Sequence, residues 1–264
     1  MVLSKTEKRG RAGALAGLAG LAASLFAPPA SAQVNALRGA LFGQKPAQER
    51  NFATPPVAQY RAESGVAFVV DRTAGKDLLL RFNGETEIWA LRPTPGPRGD
   101  IIYKNDIGEP MLRATRLGGL TLFTTELPQG SAAAIAGPAA QLKIPHVPTT
   151  PNAVALLQIV TQASARTSRA AQRLINFEAN DVAPGAESLF ADAVTLTADV
   201  FIDLATRDGG RAQMARYSRI RVVAGPGASA VVAGNLVQIT VAPDQGFAGR
   251  PSSHSIAAAL LRRR

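Results

Sequence analysis

Val66-Ala67-Phe68-Val69-Val70, then Leu78-Leu79-Leu80-Arg81-Phe82, then Asn83-Gly84: these residues decide the architecture of the first half of the chain. Val66, Phe68 and Val70 fall on one side of an extended segment, and Leu78, Leu80 and Phe82 do the same, because successive side chains of a strand point to opposite faces. Thr73-Ala74-Gly75 reads as the turn between them, and Asn83-Gly84 is the strongest short hairpin signal in the sequence. It predicts a further strand over residues 85–91.

Beyond that strand, Pro93, Pro95 and Pro97 lack the N–H that a ladder requires and predict an open crossing before a strand at 100–103. Asn105-Asp106-Ile107-Gly108 reads as a tight turn. Strands over 111–116 and 120–124, parted by Gly118-Gly119, complete six. A twisted antiparallel β-meander or small partly open barrel over 60–127 buries Phe68, Leu80, Trp89, Leu112 and Leu122. Residues 33–59 read as a flexible leader and 128–150 as a Pro/Ala/Gly-rich connector.

Residues 151–264 carry a helical period instead. Thr150 is placed to cap a helix whose first residue is Pro151 and whose pattern, through Val154, Leu157, Ala170 and Leu174, reaches Ile175. A second helix over 187–205 aligns Leu189, Ala193, Leu196, Val200 and Leu204, although part of this run also fits period two. Strands over 219–224 and 231–241, joined by Gly225-Pro226-Gly227, read as a β-hairpin, and Ser252 or Ser253 caps a short C-terminal helix. The class is α+β.

Ahead of all this stand Lys5, Lys8, Arg9 and Arg11, an apolar run from Ala12 to Phe26, and Ala30-Ser31-Ala32. That order predicts a secretory signal peptide over 1–32, cut between Ala32 and Gln33, and a periplasmic or secreted address. The run is about fifteen residues against the roughly twenty that span a bilayer, so no transmembrane segment is expected in the mature chain. The sequence has no cysteine, which excludes disulfides, thiolate metal sites and cysteine nucleophiles. With only His146 and His254 as imidazoles, a multi-histidine zinc site is not expected, nor is any other cofactor. Taking the leader's four cations and Glu7 from the 29 Lys+Arg and 19 Asp+Glu leaves a formal excess of +7. Such an excess favours anionic surfaces, among them lipid headgroups and cell-wall polymers. Three Tyr and one Trp are too few for a base-stacking platform, so nucleic acid is not expected as a partner.

Phe68-Val69-Val70-Asp71-Arg72, Leu79-Leu80-Arg81-Phe82, Glu87-Ile88-Trp89, Gly99-Asp100, Asn105-Asp106-x-Gly108, Leu112-Arg113-x-Thr115-Arg116-Leu117-Gly118-Gly119 and the closing Gly249-Arg250-Pro251-Ser252-Ser253 resemble an uncharacterised family of exported alphaproteobacterial proteins, catalogued as a domain of unknown function. The resemblance implies a bacterial envelope setting. It brings no catalytic residue with it.

Four constellations carry possible chemistry. Asp100, Asn105, Asp106 and Glu109 offer oxygen ligands suited to a hard cation, but at no EF-hand spacing. The plainer reading makes Asn105 and Asp106 turn residues and pairs Asp100 with Arg98 or Arg113. Arg98-Gly99-Asp100 resembles an integrin attachment tripeptide and reads as a strand entry. Arg166, Arg169 and Arg173 form one helical stripe, either facing Asp192, Asp199 and Asp203 on the second helix or free to dock an anion or a partner. Ser253-His254-Ser255 lies too near the terminus to be expected in a buried catalytic site, and no nucleophile elbow or phosphate loop occurs. No catalytic residue is therefore assigned. The expected role is a non-catalytic structural or binding module of the envelope, with an anionic envelope component or another periplasmic protein as partner. The alternative is a hydrolase or lyase of an envelope polymer, working through paired carboxylates such as Asp100 and Glu109 or Asp199 and Asp203. A deep pocket under the Arg81 and Arg113 face, with a buried carboxylate, favours the enzyme; a solvated Arg face favours the binding module.

Overall fold

A computed structural model describes residues 54–73, 76–143 and 152–262. Eight strands, β1 (Ala58–Ala62), β2 (Ala67–Asp71), β3 (Leu78–Phe82), β4 (Trp89–Pro95), β5 (Ile101–Lys104), β6 (Pro110–Ala114), β7 (Leu120–Leu122) and β8 (Ser131–Gly137), each pair antiparallel with the next, and β8 returns to β1. The sheet is thus a closed barrel. Alternate residues fill it: Phe68, Val70, Leu80, Leu91, Leu112 and Leu122 are fully buried, and Tyr60 stacks on Phe68 at 5.6 Å. Each such side chain contributes about 1.5–3 kcal/mol by leaving water, and an eight-stranded barrel is just wide enough for side chains to fill.

Closure corrects the six-strand, partly open reading. β1 lies partly in the segment read as leader, and β8 in the segment read as connector. Their inward residues, Ala58, Ala62 and Ala133, are small, so they carry little hydrophobic signal while fitting beside Tyr60 and Phe68. The prolines are a second correction, since Pro93 and Pro95 lie inside β4, paired with Tyr103 and Ile101. Gly96 N–H donates to Asp100 O, so by period two the ladder donors are the even-numbered residues; the proline nitrogens face the other edge, where β3 pairing has already ended at Leu91. Asn83-Gly84 does make a turn, with Gly84 at φ 88°, but Leu80 pairs with Trp89 and the connection runs through residue 88. Glu87 and Ile88 leave the ladder to meet the C-terminal segment, as described below. Thr73 begins the β2–β3 turn, whose Ala74 and Gly75 lie outside the described residues.

The second half comprises α1 (Asn152–Ala171), β9 (Asn176–Ala179), α2 (Glu187–Thr206), α3 (Gly210–Met214), β10 (Arg219–Ala224), β11 (Ser229–Ala233), β12 (Leu236–Val241), a 3-10 segment (Pro243–Gly249) and α4 (Ser253–Leu261). The four strands form one sheet in the order β11-β12-β10-β9. β10 runs parallel to both β9 and β12, so Gly225-Pro226-Gly227 opens a crossover rather than a hairpin. The run 231–241 splits at Gly234-Asn235, where Gly234 takes φ 63° and Asn235 O accepts from the Ser218 and Arg219 amides. The hairpin is β11–β12.

α2 is buried over most of its circumference, with Phe190, Val194, Ala198 and Phe201 inaccessible. That explains why its sequence fits two periods: a helix surrounded by neighbours is apolar all round. α1 corrects the predicted face. Leu156, Val160, Ala163, Thr167 and Ala171 are buried, whereas Val154 is 50 % and Leu157 65 % exposed. Small residues on the buried stripe let α1 approach α2 closely, and the Thr167 hydroxyl is satisfied by Ala163 O at 2.8 Å. The helix ends at Ala171; Gln172 takes φ 52°, and Leu174, 79 % exposed, lies beyond it. Thr150 and Pro151, its predicted start, lie outside the described residues, as does His146. No described helix is long and apolar enough to cross a membrane.

Candidate functional site

An up-and-down barrel sends alternate loops to the same end, and one end is covered by the segment leading into α4. Arg250, its side chain 4 % exposed, donates through Nε to Asp192 on α2, lies 3.5 Å from Glu87, and donates through Nη2 to Ile88 O at 3.1 Å. Ser252 caps α4 by accepting from Ser255 N–H, and its own N–H and hydroxyl donate to Asp106. Ser253 N–H donates to Glu87 at 3.0 Å. His254 Nδ1 lies 2.7 Å from Glu109 Oε2, and its ring sits edge-on to Trp89 with centroids 4.9 Å apart. Burial pushes Glu87 above its ordinary value despite the neighbouring guanidinium. Burial also raises Glu109, but hydrogen bonds from His254 and Asn105 outweigh it and hold that carboxylate below its ordinary value. A cavity of about 20 Å³ remains among Ile88, Arg92, Asn105, Phe247 and Arg250, room for about one water. The whole arrangement is a clasp whose charged and hydroxyl groups answer one another, while the buried Trp89 Nε1 has no partner among the described residues.

A larger concavity lies on the barrel wall. Gln59, Val69 and Arg81 stand in register on β1, β2 and β3, forming one row across the outer face. The segment after β8 passes beside this row, and the groove between them, about 430 Å³, is lined also by Asn83, Gln141 and Lys143. Asp71 anchors that wall: its carboxylate, fully buried, accepts Leu142 N–H at 2.7 Å and both Thr73 donors. Burial raises Asp71, and these donors outweigh it, leaving its pKa lowered. Leu142 packs on Val69, Leu79 and Ile88. Among the described residues the groove lining carries two cations, three amides and no carboxylate.

The predicted cation set is divided. Asp100, 6 % exposed, is bound by the Arg113 guanidinium, as the plainer reading had it. Asn105 shapes its turn by accepting the Ile107 and Glu109 amides and donates to Glu109, while Asp106 answers Ser252. No cluster of three metal-ligating carboxylates and imidazoles occurs among the described residues. The Asp of Arg98-Gly99-Asp100 is buried against Arg113 and is not displayed. On α1, Arg166 pairs with Asp199 at 2.5 Å and Arg173 donates to Ala215 O at 2.6 Å, leaving Arg169 exposed. Asp203 pairs with Arg207. Two of the three arginines of the stripe thus have a partner within the chain, and all three are exposed.

The family model described as Domain of unknown function (DUF4908) matches residues 36–260. The chain belongs to this family. The DUF4908 match runs through both the barrel and the α/β half and stops inside α4, so the clasp falls within the family unit. No curated protein and no solved structure matches.

In this DUF4908 chain the sequence reading missed Gln59, Gln141 and Lys143 because they lie in segments read as leader and connector. Only strand register brings Gln59 into one row with Arg81, across Val69. Arg250 and Asp192 were missed as partners because 58 residues separate them. The one available signal was a lone Arg followed by Pro-Ser-Ser before a helix, which marks a cap.

Proposed function

We propose that this DUF4908 protein is exported and serves in the bacterial envelope as a non-catalytic binding module for an anionic component. The observation that carries the reading is the Arg81 groove. Its volume is that of a small-ligand site, its lining offers donors from Arg81, Lys143 and three amides, and among the described residues it holds no carboxylate to act as acid or base. The one buried carboxylate beneath it, Asp71, has its oxygens engaged by the wall it anchors. Asp100, Glu109, Asp199 and Asp203, the carboxylates of the hydrolase or lyase alternative, are each held by a cationic or imidazole partner.

Fractionation of native cells followed by N-terminal sequencing tests the address: the expected product begins at Gln33 in the periplasmic fraction, and Met1 retained in the cytosol overturns it. Native mass spectrometry of the isolated protein tests the role. An anionic adduct lost in Arg81→Glu/Lys143→Glu is expected; hydrolytic or lyase activity on an envelope polymer, abolished by Asp199→Asn, overturns it.

A further inference from the structure

Charge on the barrel is divided between its two ends. Loops 63–66, 83–88, 105–109 and 123–130 share one end and carry Glu63, Glu85, Glu87, Asp106, Glu109 and Glu126, with no Lys or Arg among them. The connections β2–β3, β4–β5 and β6–β7 share the other and carry Arg72, Lys76, Arg98 and Arg116 against Asp77 and Asp100. Asp100 is buried on Arg113, so the displayed charge at that end is strongly positive. Arg72, Lys76, Arg98 and Arg116 are all exposed, and no ion pair engages any of them among the described residues.

At the same end Leu117 is 94 % exposed. It sits at the tip of the β6–β7 turn, held there by Thr115 N–H to Gly119 O at 2.8 Å, Gly118 N–H to Thr115 O at 3.0 Å and Gly119 N–H to the Thr115 hydroxyl at 2.9 Å. The Arg116 stem runs against Gly99, where an added Cβ would lie 2.5 Å from Arg116 Cδ. The two loops are therefore in contact, and Arg98, Arg116 and Leu117 belong to one surface. An apolar tip held in a hydrogen-bonded turn, with cations on its own and the adjoining loop and others at the same end of the barrel, suits an interface whose outer layer is anionic and whose interior is apolar.

We propose that this end of the barrel docks on an anionic phospholipid surface, with Leu117 entering the headgroup layer and Arg72, Lys76, Arg98 and Arg116 set against lipid phosphates. The acidic end faces away from the lipid, so only one orientation is favoured, and the clasp at Arg250 and His254 is turned from the membrane. The inference rests on the binding reading above, but fails separately from it, because the address and the groove adduct are read without lipid.

Co-sedimentation of the protein isolated from cells, with vesicles of phosphatidylcholine alone or mixed with phosphatidylglycerol, tests it. Binding to the mixed vesicles only, falling with added salt, is expected. Arg98→Glu/Arg116→Glu weakens it by about thirtyfold or more and Leu117→Ser by about tenfold. Glu126→Gln, at the opposite end, leaves it unchanged, and unaltered urea midpoints show that the variants are folded. Equal binding to both vesicle types, no binding to either, or mixed-vesicle binding untouched by Arg98→Glu/Arg116→Glu overturns the proposal.

Discussion

Arg250→Met removes the cation that joins α2 to the barrel end. In the native protein the guanidinium balances Asp192 and Glu87 and donates to Ile88 O, all with 4 % of its side chain exposed. Breaking a buried pair by removing one partner costs about 3–5 kcal/mol, because the remaining charges stay desolvated. Two features pull the cost towards the lower figure: Asp192 is 17 % exposed and reaches water, and Glu87, already pushed up by burial, escapes by taking a proton. The destabilisation should therefore shrink between pH 7 and pH 5. Urea unfolding followed by fluorescence measures it, since the chain has one tryptophan and Trp89 lies against His254 at this junction. Arg250→Met/Glu87→Gln/Asp192→Asn should recover most of the loss, having no charge left to strand. A single-variant cost below about 1 kcal/mol, equal at both pH values, would refute the reasoning.

Four further outcomes are expected. Leu156→Ala should cost about 2–5 kcal/mol and Leu157→Ser under about 0.5 kcal/mol in the same urea assay, the reverse of what the sequence period implies for α1. Gly210→Ala should destabilise by about 1–3 kcal/mol or more, since its Cβ would lie 1.8 Å from Leu204 O; thermal unfolding reads this. Asp71→Asn presents an amide where Leu142 N–H and Thr73 donate, and should cost about 1–3 kcal/mol with faster hydrogen exchange at Leu142. The clasp carboxylates pull in opposite directions with pH. Glu109, lowered in the fold, contributes stability present above its unfolded value and lost as pH falls through its folded one. Glu87, raised, contributes stability present below its unfolded value and lost as pH rises through its folded one. Glu109→Gln should thus flatten the acid limb of a stability–pH curve and Glu87→Gln the limb above it.

The parts of the fold legible in the sequence were those written in large side chains. Phe68, Leu80, Trp89, Leu112 and Leu122 mark the barrel interior, and all are buried. Leu189, Ala193, Val200 and Leu204 mark α2, which spans Glu187–Thr206. The illegible parts were written in small ones. β8 is mostly alanine, so composition resembles a linker until closure gives Ala133 a partner. The buried stripe of α1 likewise turns on Ala163, Thr167 and Ala171, whereas Leu157 and Leu174, which fit a helical period, are exposed. Prolines in β4 were misread because a missing donor matters only on an edge that has a neighbour. Of the candidate sites, the local pairings of Asp100 with Arg113 and of Glu109 with Asn105 lie within cross-strand or turn distance in the sequence, whereas Ser252 on Asp106 and His254 on Glu109 come from more than a hundred positions away.

Translation order gives the clasp a consequence of its own. All eight barrel strands lie within residues 58–137, but the groups that pair with Glu87 and cover Trp89 lie at 250–254, made well after the barrel strands. Until then a nascent chain carries an unfinished, negatively charged rim. A premature stop after Gly249, or clipping there by a protease, leaves every barrel strand in place and yet uncaps the first half of the molecule.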